Sequence, residues 1–425
     1  MKEIRINNFK EKLFYEKLDN GLEVFLVPLK NKNNYTCMFG TKYGGRDIKF
    51  FVDGKLIETP TGIAHFLEHK MFEKDEDPFH FYQKYGTDVN ASTSYDYTAY
   101  YILGNKKYEK NLTYLLNWLK DLNLTDQLVQ KEKDIILEEA SMYKDNPDRV
   151  LSEKLKANTF INDAYKNKVI GFDDDIKSIT KEQIMCCYNS FYNLKNMFLI
   201  CTGNIDVSLT MKIVKECTKD YRTNNSKIEK YIADESDKVY KDFEEIFMNV
   251  DIPRVGMAFK INKNLFHDLS ITSFDLDFYL YSLVNIGFGF TSDIRDKWLN
   301  DNLFINSNYR ILSTKTHYVL EFYATTYKCE ELIKEMEHYI NDIKIDEDSF
   351  SRYKKVWIAS EVKSSTNINS IKYSILDDIL DYGEFIPNKL ERINNLSYNE
   401  LLKVKDALSF KNKVVVKIKP FSNKI

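Results

Sequence analysis

The chain has 425 residues, 43% of them hydrophobic, with 61 Lys and Arg set against 64 Asp and Glu for a net charge of −3. That length exceeds one ordinary core and predicts two domains of about 200 residues each. The balanced charge leaves no electrostatic footprint for gripping nucleic acid, and no apolar run nears the ~20 residues of a membrane-spanning helix.

The first residues, Met1 to Asn7, hold no apolar signal segment. Six cysteines (Cys37, Cys186, Cys187, Cys201, Cys217 and Cys329) form no CxxC pair and no regular spacing. Both features predict reduced thiols and a cytoplasmic location. The neighbours Cys186 and Cys187 read as packing residues.

In chain order, Leu18–Pro28 reads as a turn at Asn20-Gly21 feeding a strand, and Tyr35–Tyr43 as a second strand closed by Gly44-Gly45. A polar insert follows. Thr59-Pro-Thr-Gly62 then launches a helix over Ile63–Glu73. Gly86–Tyr101 reads as extended, its tyrosines suited to strand packing rather than to a cofactor. Apolar spacing predicts helices over Asn105–Leu124, Thr125–Tyr143, Asp148–Asn158 and Thr180–Tyr192, a strand over Lys195–Asn204 and a helix over Val207–Cys217.

Residues 218–240 lose periodicity, and 223–240 is expected to link a domain of residues 1–222 to one of residues 241–425. From residue 241 the element order recurs: strands at Glu245–Met248 and Arg254–Lys260, a long helix at Ser270–Val284, strands near 305–326, then helices. Hairpin-like strand pairs among helices indicate the α+β class, in two similar halves.

Only six histidines occur, and two fall four residues apart in His65-Phe-Leu-Glu68-His69. On a helix, positions i and i+4 share a face, so both imidazoles can reach one metal ion. Glu68 leans to the same side and can take a proton from water without binding the ion. Tetrahedral zinc needs a third protein ligand and an open position. The helix around Lys131–Glu139 offers Glu132 and Glu139, seven residues and about two turns apart on one face. Glu139 is read as the ligand and Glu132 as a carboxylate that orients a ligand within the catalytic group. Spacing alone equally allows Glu139 to be an ordinary exposed helix glutamate. His80, His267, His317 and His338 lack ligand-type neighbours and read as structural.

Thr61-Gly-Ile-Ala-His-Phe-Leu-Glu-His-Lys-Met-Phe72 resembles the signature of the insulinase, pitrilysin and mitochondrial-processing-peptidase family. Leu18–Pro28, Asn90-Ala-Ser-Thr93, the Glu132–Glu139 helix and Asn196–Asp206 agree with it, so the resemblance is close over residues 15–210. It implies two domains, each a mainly antiparallel sheet with helices on one face. It also implies zinc held by His65, His69 and Glu139, with Glu68 as general base, in a zinc metalloendopeptidase. Asn90, Ala91, Ser92 and Thr93 are then an edge where a peptide adds as a strand. In detail the chain looks like the zinc-motif member of a bacterial pair of half-length paralogues, acting as a hetero-dimer or else a homodimer.

One departure stands out. Family members that complete the site from the second half carry Arg and Tyr seven residues apart. Here Tyr309, the expected substrate contact, follows Asn302 at that spacing, and Arg295 is displaced. A partner chain is therefore expected to supply the missing groups. The same departure favours an alternative, a non-catalytic peptide-binding or scaffolding subunit; a metal-dependent hydrolase of non-peptide substrates would use the same chemistry.

Overall fold

The computed structural model describes residues 1–6, 11–221, 224–290 and 292–421. They form two compact units, neither continuous along the chain. The first comprises Met1–Ala140, Asn167–Tyr231 and Glu361–Leu390; the second comprises Ser141–Lys166, Ile232–Ser360 and Glu391–Ile425.

In the first unit seven strands run β1 (Lys2–Arg5), β2 (Lys12–Lys17), β3 (Glu23–Pro28), β4 (Tyr35–Thr41), β7 (Asp88–Thr93), β8 (Thr98–Gly104) and β9 (Met197–Gly203). Their spatial order is β1-β2-β3-β9-β4-β8-β7, antiparallel throughout except for the parallel pair β3 and β9. A second sheet of β5 (Lys49–Val52), β6 (Lys55–Glu58) and β10 (Ile228–Lys230) has the order β10-β5-β6. The polar insert is thus a hairpin, and part of the expected linker pairs with it.

Alternation decides what covers each face of the large sheet. Phe25, Val27, Met38, Phe198 and Ile200 pack against Ile371, Ile375, Leu376 and Ile379 of a helix at Ile368–Asp381. On the opposite face Tyr100 lies edge-on to Trp118 at 5.2 Å, beneath the Tyr108–Trp118 helix. Burying each such side chain stabilises by about 1.5–3 kcal/mol, so both layers are needed.

The second unit repeats this plan on five strands, β11 (Phe243–Met248), β12 (Arg254–Asn262), β13 (Asn306–Ser313), β14 (His317–Thr325) and β15 (Asn412–Pro420). Their order is β11-β15-β12-β14-β13, with only β11 and β15 parallel. Met257, Phe259, Leu320, Phe322 and Val415 pack against Phe288, Trp298, Leu332 and Met336. The Pro147–Thr159 helix covers the other face, close enough that a Cβ on Gly256 would stand 3.1 Å from Leu151.

Within this unit Lys260 and Glu235, both side chains wholly buried, pair at 2.5 Å. Glu235 also accepts the backbone N–H groups of Ile161, Asn162 and Asp163 at 3.0, 2.7 and 2.6 Å. The second part of the expected linker is therefore an internal anchor. Among the described residues no helix is long and apolar enough to cross a membrane.

Candidate metal centre

Thr61 and Gly62 set the first helix of the site, Ile63–Met71. Gly62 has φ 85°, and a Cβ there would collide with the Ile170 carbonyl, so only glycine lets these two backbones meet. Thr61 Oγ1 donates to Asp175 Oδ2 at 2.5 Å and accepts from Phe172 N at 3.1 Å, which pins the helix start. Ile63, Ala64, Phe66, Leu67 and Met71 are buried. Their packing fixes the rotation that turns His65 and His69 to a common side, with ring centroids 4.6 Å apart.

The second helix, Asp126–Lys144, brings Glu139 to both rings. Its Oε2 lies 3.8 Å from His65 Nε2 and 3.6 Å from His69 Nε2. One donor atom from each residue lies within 4.8 Å of the other two, the one such trio among the described residues. Two donors about 2.0–2.1 Å from a tetrahedral zinc stand roughly 3.4 Å apart. Two imidazoles and a carboxylate at these distances fit that ion.

About two turns before Glu139, Glu132 places Oε1 3.0 Å from His69 Nδ1. That bond directs the other ring nitrogen toward Glu139. Burial works against the His69 imidazolium, but the Glu132 hydrogen bond, aided by Glu68 and Glu139, raises its pKa above the usual range. For Glu132 burial acts upward, and His69 with Lys70 more than reverses it, so its carboxyl lies below the usual range.

Glu68 is 8% exposed. Thr93 Oγ1 donates to its Oε2 at 2.5 Å. Burial raises its pKa above the usual carboxylate range, with Thr93 and His69 opposing and Glu139 adding. A carboxyl so shifted is better matched to moving protons near neutrality.

Thr93 ends β7, which pairs only with β8 among the described residues and so forms the open edge of its sheet. Asn90, Ala91 and Ser92 lie along that edge. The Ala91 N–H donates to its neighbour Asn90 Oδ1 at 2.8 Å rather than into the ladder. Tyr309 belongs to the other unit, on the edge strand β13, where its hydroxyl donates to Asn285 Oδ1 at 2.5 Å.

Two partnerships escape a reading by spacing. Thr93 reads as part of a substrate edge, yet its side chain holds Glu68. Lys70 passes unremarked, although it sits on the apolar side of a helix whose polar face is taken by His65, Glu68 and His69. A lysine in such a helix must find a buried partner, and that signal is present in the residue order.

Known proteins resemble this chain in sequence and fold. Residues 51–173 match the family described as Insulinase (Peptidase family M16), and residues 178–356 match its Peptidase M16 inactive domain. A Bacillus subtilis protein named an uncharacterized zinc protease, YmfH, is 37% identical over 282 residues, which is 64% of this chain and 66% of that protein. A solved M16-like structure from Alicyclobacillus acidocaldarius superposes with a TM-score of 0.90 at 26% identity, covering 97% of this chain and 99% of that one. The periplasmic protease PqqL of Escherichia coli shares the fold at a TM-score of 0.71 and 16% identity, over 96% of this chain and 47% of that longer one. The chain belongs to the insulinase family of peptidases, family M16.

Proposed function

We propose that the chain is a zinc metalloendopeptidase in which His65, His69 and Glu139 hold the ion and Glu68 moves the proton. The observation that carries this is the convergence of three donor atoms from two helices beside a buried carboxylate. Zinc held there supplies a Lewis acid that polarises a carbonyl and acidifies water. Glu68 accepts the proton of the attacking water and delivers it to the departing amine. Glu132 keeps the His69 ring in one tautomer and one orientation.

The open edge of β7 suits an extended peptide that adds as a further strand, through Asn90, Ala91, Ser92 and Thr93. Backbone pairing of this kind selects unfolded peptides with little side-chain preference. Six free cysteines fit the reducing cytoplasm.

A paralogous partner chain completes the substrate clamp. Tyr309 follows Asn302 at the spacing where an arginine is needed, and its hydroxyl is engaged by Asn285. PqqL, in which this chain matches about half the length, is a precedent for two such halves in one protein. The same feature favours the second reading, a peptide-binding subunit that does not cleave.

The test is cleavage of an unstructured peptide by the chain with and without its partner, beside Glu68→Gln. The variant is expected to retain zinc and lose turnover. Equal cleavage by wild type and Glu68→Gln removes Glu68 from the mechanism. Stoichiometric zinc without cleavage, even with the partner present, establishes the scaffolding reading.

A further inference from the structure

Lys70 is 0% exposed, between His69 and Met71. An ammonium at that depth is costly unless its charge is matched. Its Nζ contacts the Glu73 carboxylate, the Leu128 carbonyl at 3.3 Å and Glu132 Oε2 at 3.7 Å. The other oxygen of Glu132, Oε1, is the one 3.0 Å from His69 Nδ1. A single carboxylate therefore spans the ammonium on one side and the imidazole on the other.

We infer that Lys70 is a positioning residue for the metal centre, acting on His69 through Glu132; the inference rests on the zinc reading above. A glutamate carboxylate turns freely about its last torsion unless both oxygens are held. With Lys70 drawing Oε2, Oε1 is left facing the imidazole. His69 Nδ1 then donates, and the lone pair of Nε2 points at the position shared with His65 and Glu139. Glu73 holds the ammonium from its far side, so Lys70 is braced by two carboxylates.

Charge points the same way. Glu68, Glu132 and Glu139 gather around one small site, and Lys70 sets a cation against the Glu132 member of that group. An apolar residue of the same length would fill the space and leave Glu132 repelled by its neighbours and free to swing.

The experiment measures zinc affinity of the full chain by competition with a chromophoric zinc chelator, for wild type, Lys70→Met, Glu132→Gln and the double variant. Lys70→Met and Glu132→Gln are each expected to weaken zinc binding about 10–100-fold, the usual effect of losing a partner behind a ligand. If Lys70 acts through Glu132, the double variant binds zinc within about threefold of Glu132→Gln alone. Lys70→Gln replaces Lys70→Met should the latter fail to fold, with the same expectation. Unchanged affinity in the Lys70 variant, or a full further loss on adding it to Glu132→Gln, overturns the inference and leaves the zinc reading standing. A wild-type chain that binds no zinc overturns both.

Discussion

The Thr93 hydroxyl lies 2.5 Å from Oε2 of Glu68, so the open strand edge and the carboxylate proposed to move the proton are bonded to each other. Thr93 also reaches Glu68 through its backbone, and both bonds favour the carboxylate form. A peptide that pairs with β7 would lie on the strand that fixes the proposed base.

Thr93→Val keeps the shape of the side chain and removes the donor. Hydrogen bonds to charged groups contribute about 1.5–3 kcal/mol, so kcat is expected to fall about 10–100-fold. Thr93→Ser is expected to stay near wild type. Steady-state kinetics on one peptide decide the matter. A rise in KM with kcat unchanged would assign Thr93 to peptide binding alone.

Glu139→Gln is expected to lose zinc by more than the roughly 100-fold that an outer partner can cost, because it removes one of the three proposed ligands. Zinc per chain after dialysis, measured by atomic absorption, checks this. The far-UV spectrum is expected to stay unchanged. Zinc retained at one per chain would show that Glu139 is not a ligand.

Breaking the buried pair in the second unit by Lys260→Met leaves Glu235 charged and without its counter-ion. Losing one member of such a pair typically costs about 3–5 kcal/mol. Urea unfolding of the purified chain measures it. A change below about 1 kcal/mol would mean that the three backbone N–H groups on Glu235 suffice.

Lys372 is 2% exposed, bonded to Thr36 Oγ1 and Asn369 Oδ1 at 3.3 and 3.1 Å, and burial pulls its pKa down to about 8. Between pH 8 and about 10.5 the unfolded chain binds the proton and the folded chain does not, so this group adds stability as pH rises through that window. Below pH 8 the buried ammonium is a burden. Lys372→Met is therefore expected to melt higher than wild type below pH 8, with the gap closing toward pH 10. A gap independent of pH would place the Lys372 pKa outside that window.

The histidine pair was legible because its partners are local: four residues on a helix fix a shared face without any knowledge of the fold. The β5–β6 hairpin was equally local and was missed. Asp53-Gly54 is a turn dipeptide between Phe50-Phe51-Val52 and Leu56-Ile57, and both residues take positive φ, 51° and 81°. Lys49, Lys55 and Glu58 disguise it as a polar insert. Lys70 is legible only in part: Glu73 is local, but its other partners, Leu128 and Glu132, lie about sixty positions along the chain. The placement of the Pro147–Thr159 and Ile368–Asp381 helices was not legible at all. Each carries its apolar spacing openly, but nothing local says which of two similar sheets it will cover.

That trade of helices forbids a simple dissection of the molecule. A chain shortened to its first 222 residues would keep the histidines and both glutamates, yet leave Phe25, Met38, Phe198 and Ile200 bare to water, because the helix at Ile368–Asp381 would be gone. The remainder would lose the Pro147–Thr159 helix from its own sheet. No single peptide bond can be cut to yield two sound pieces, and a minimal catalytic fragment would have to be stitched from three stretches of polypeptide.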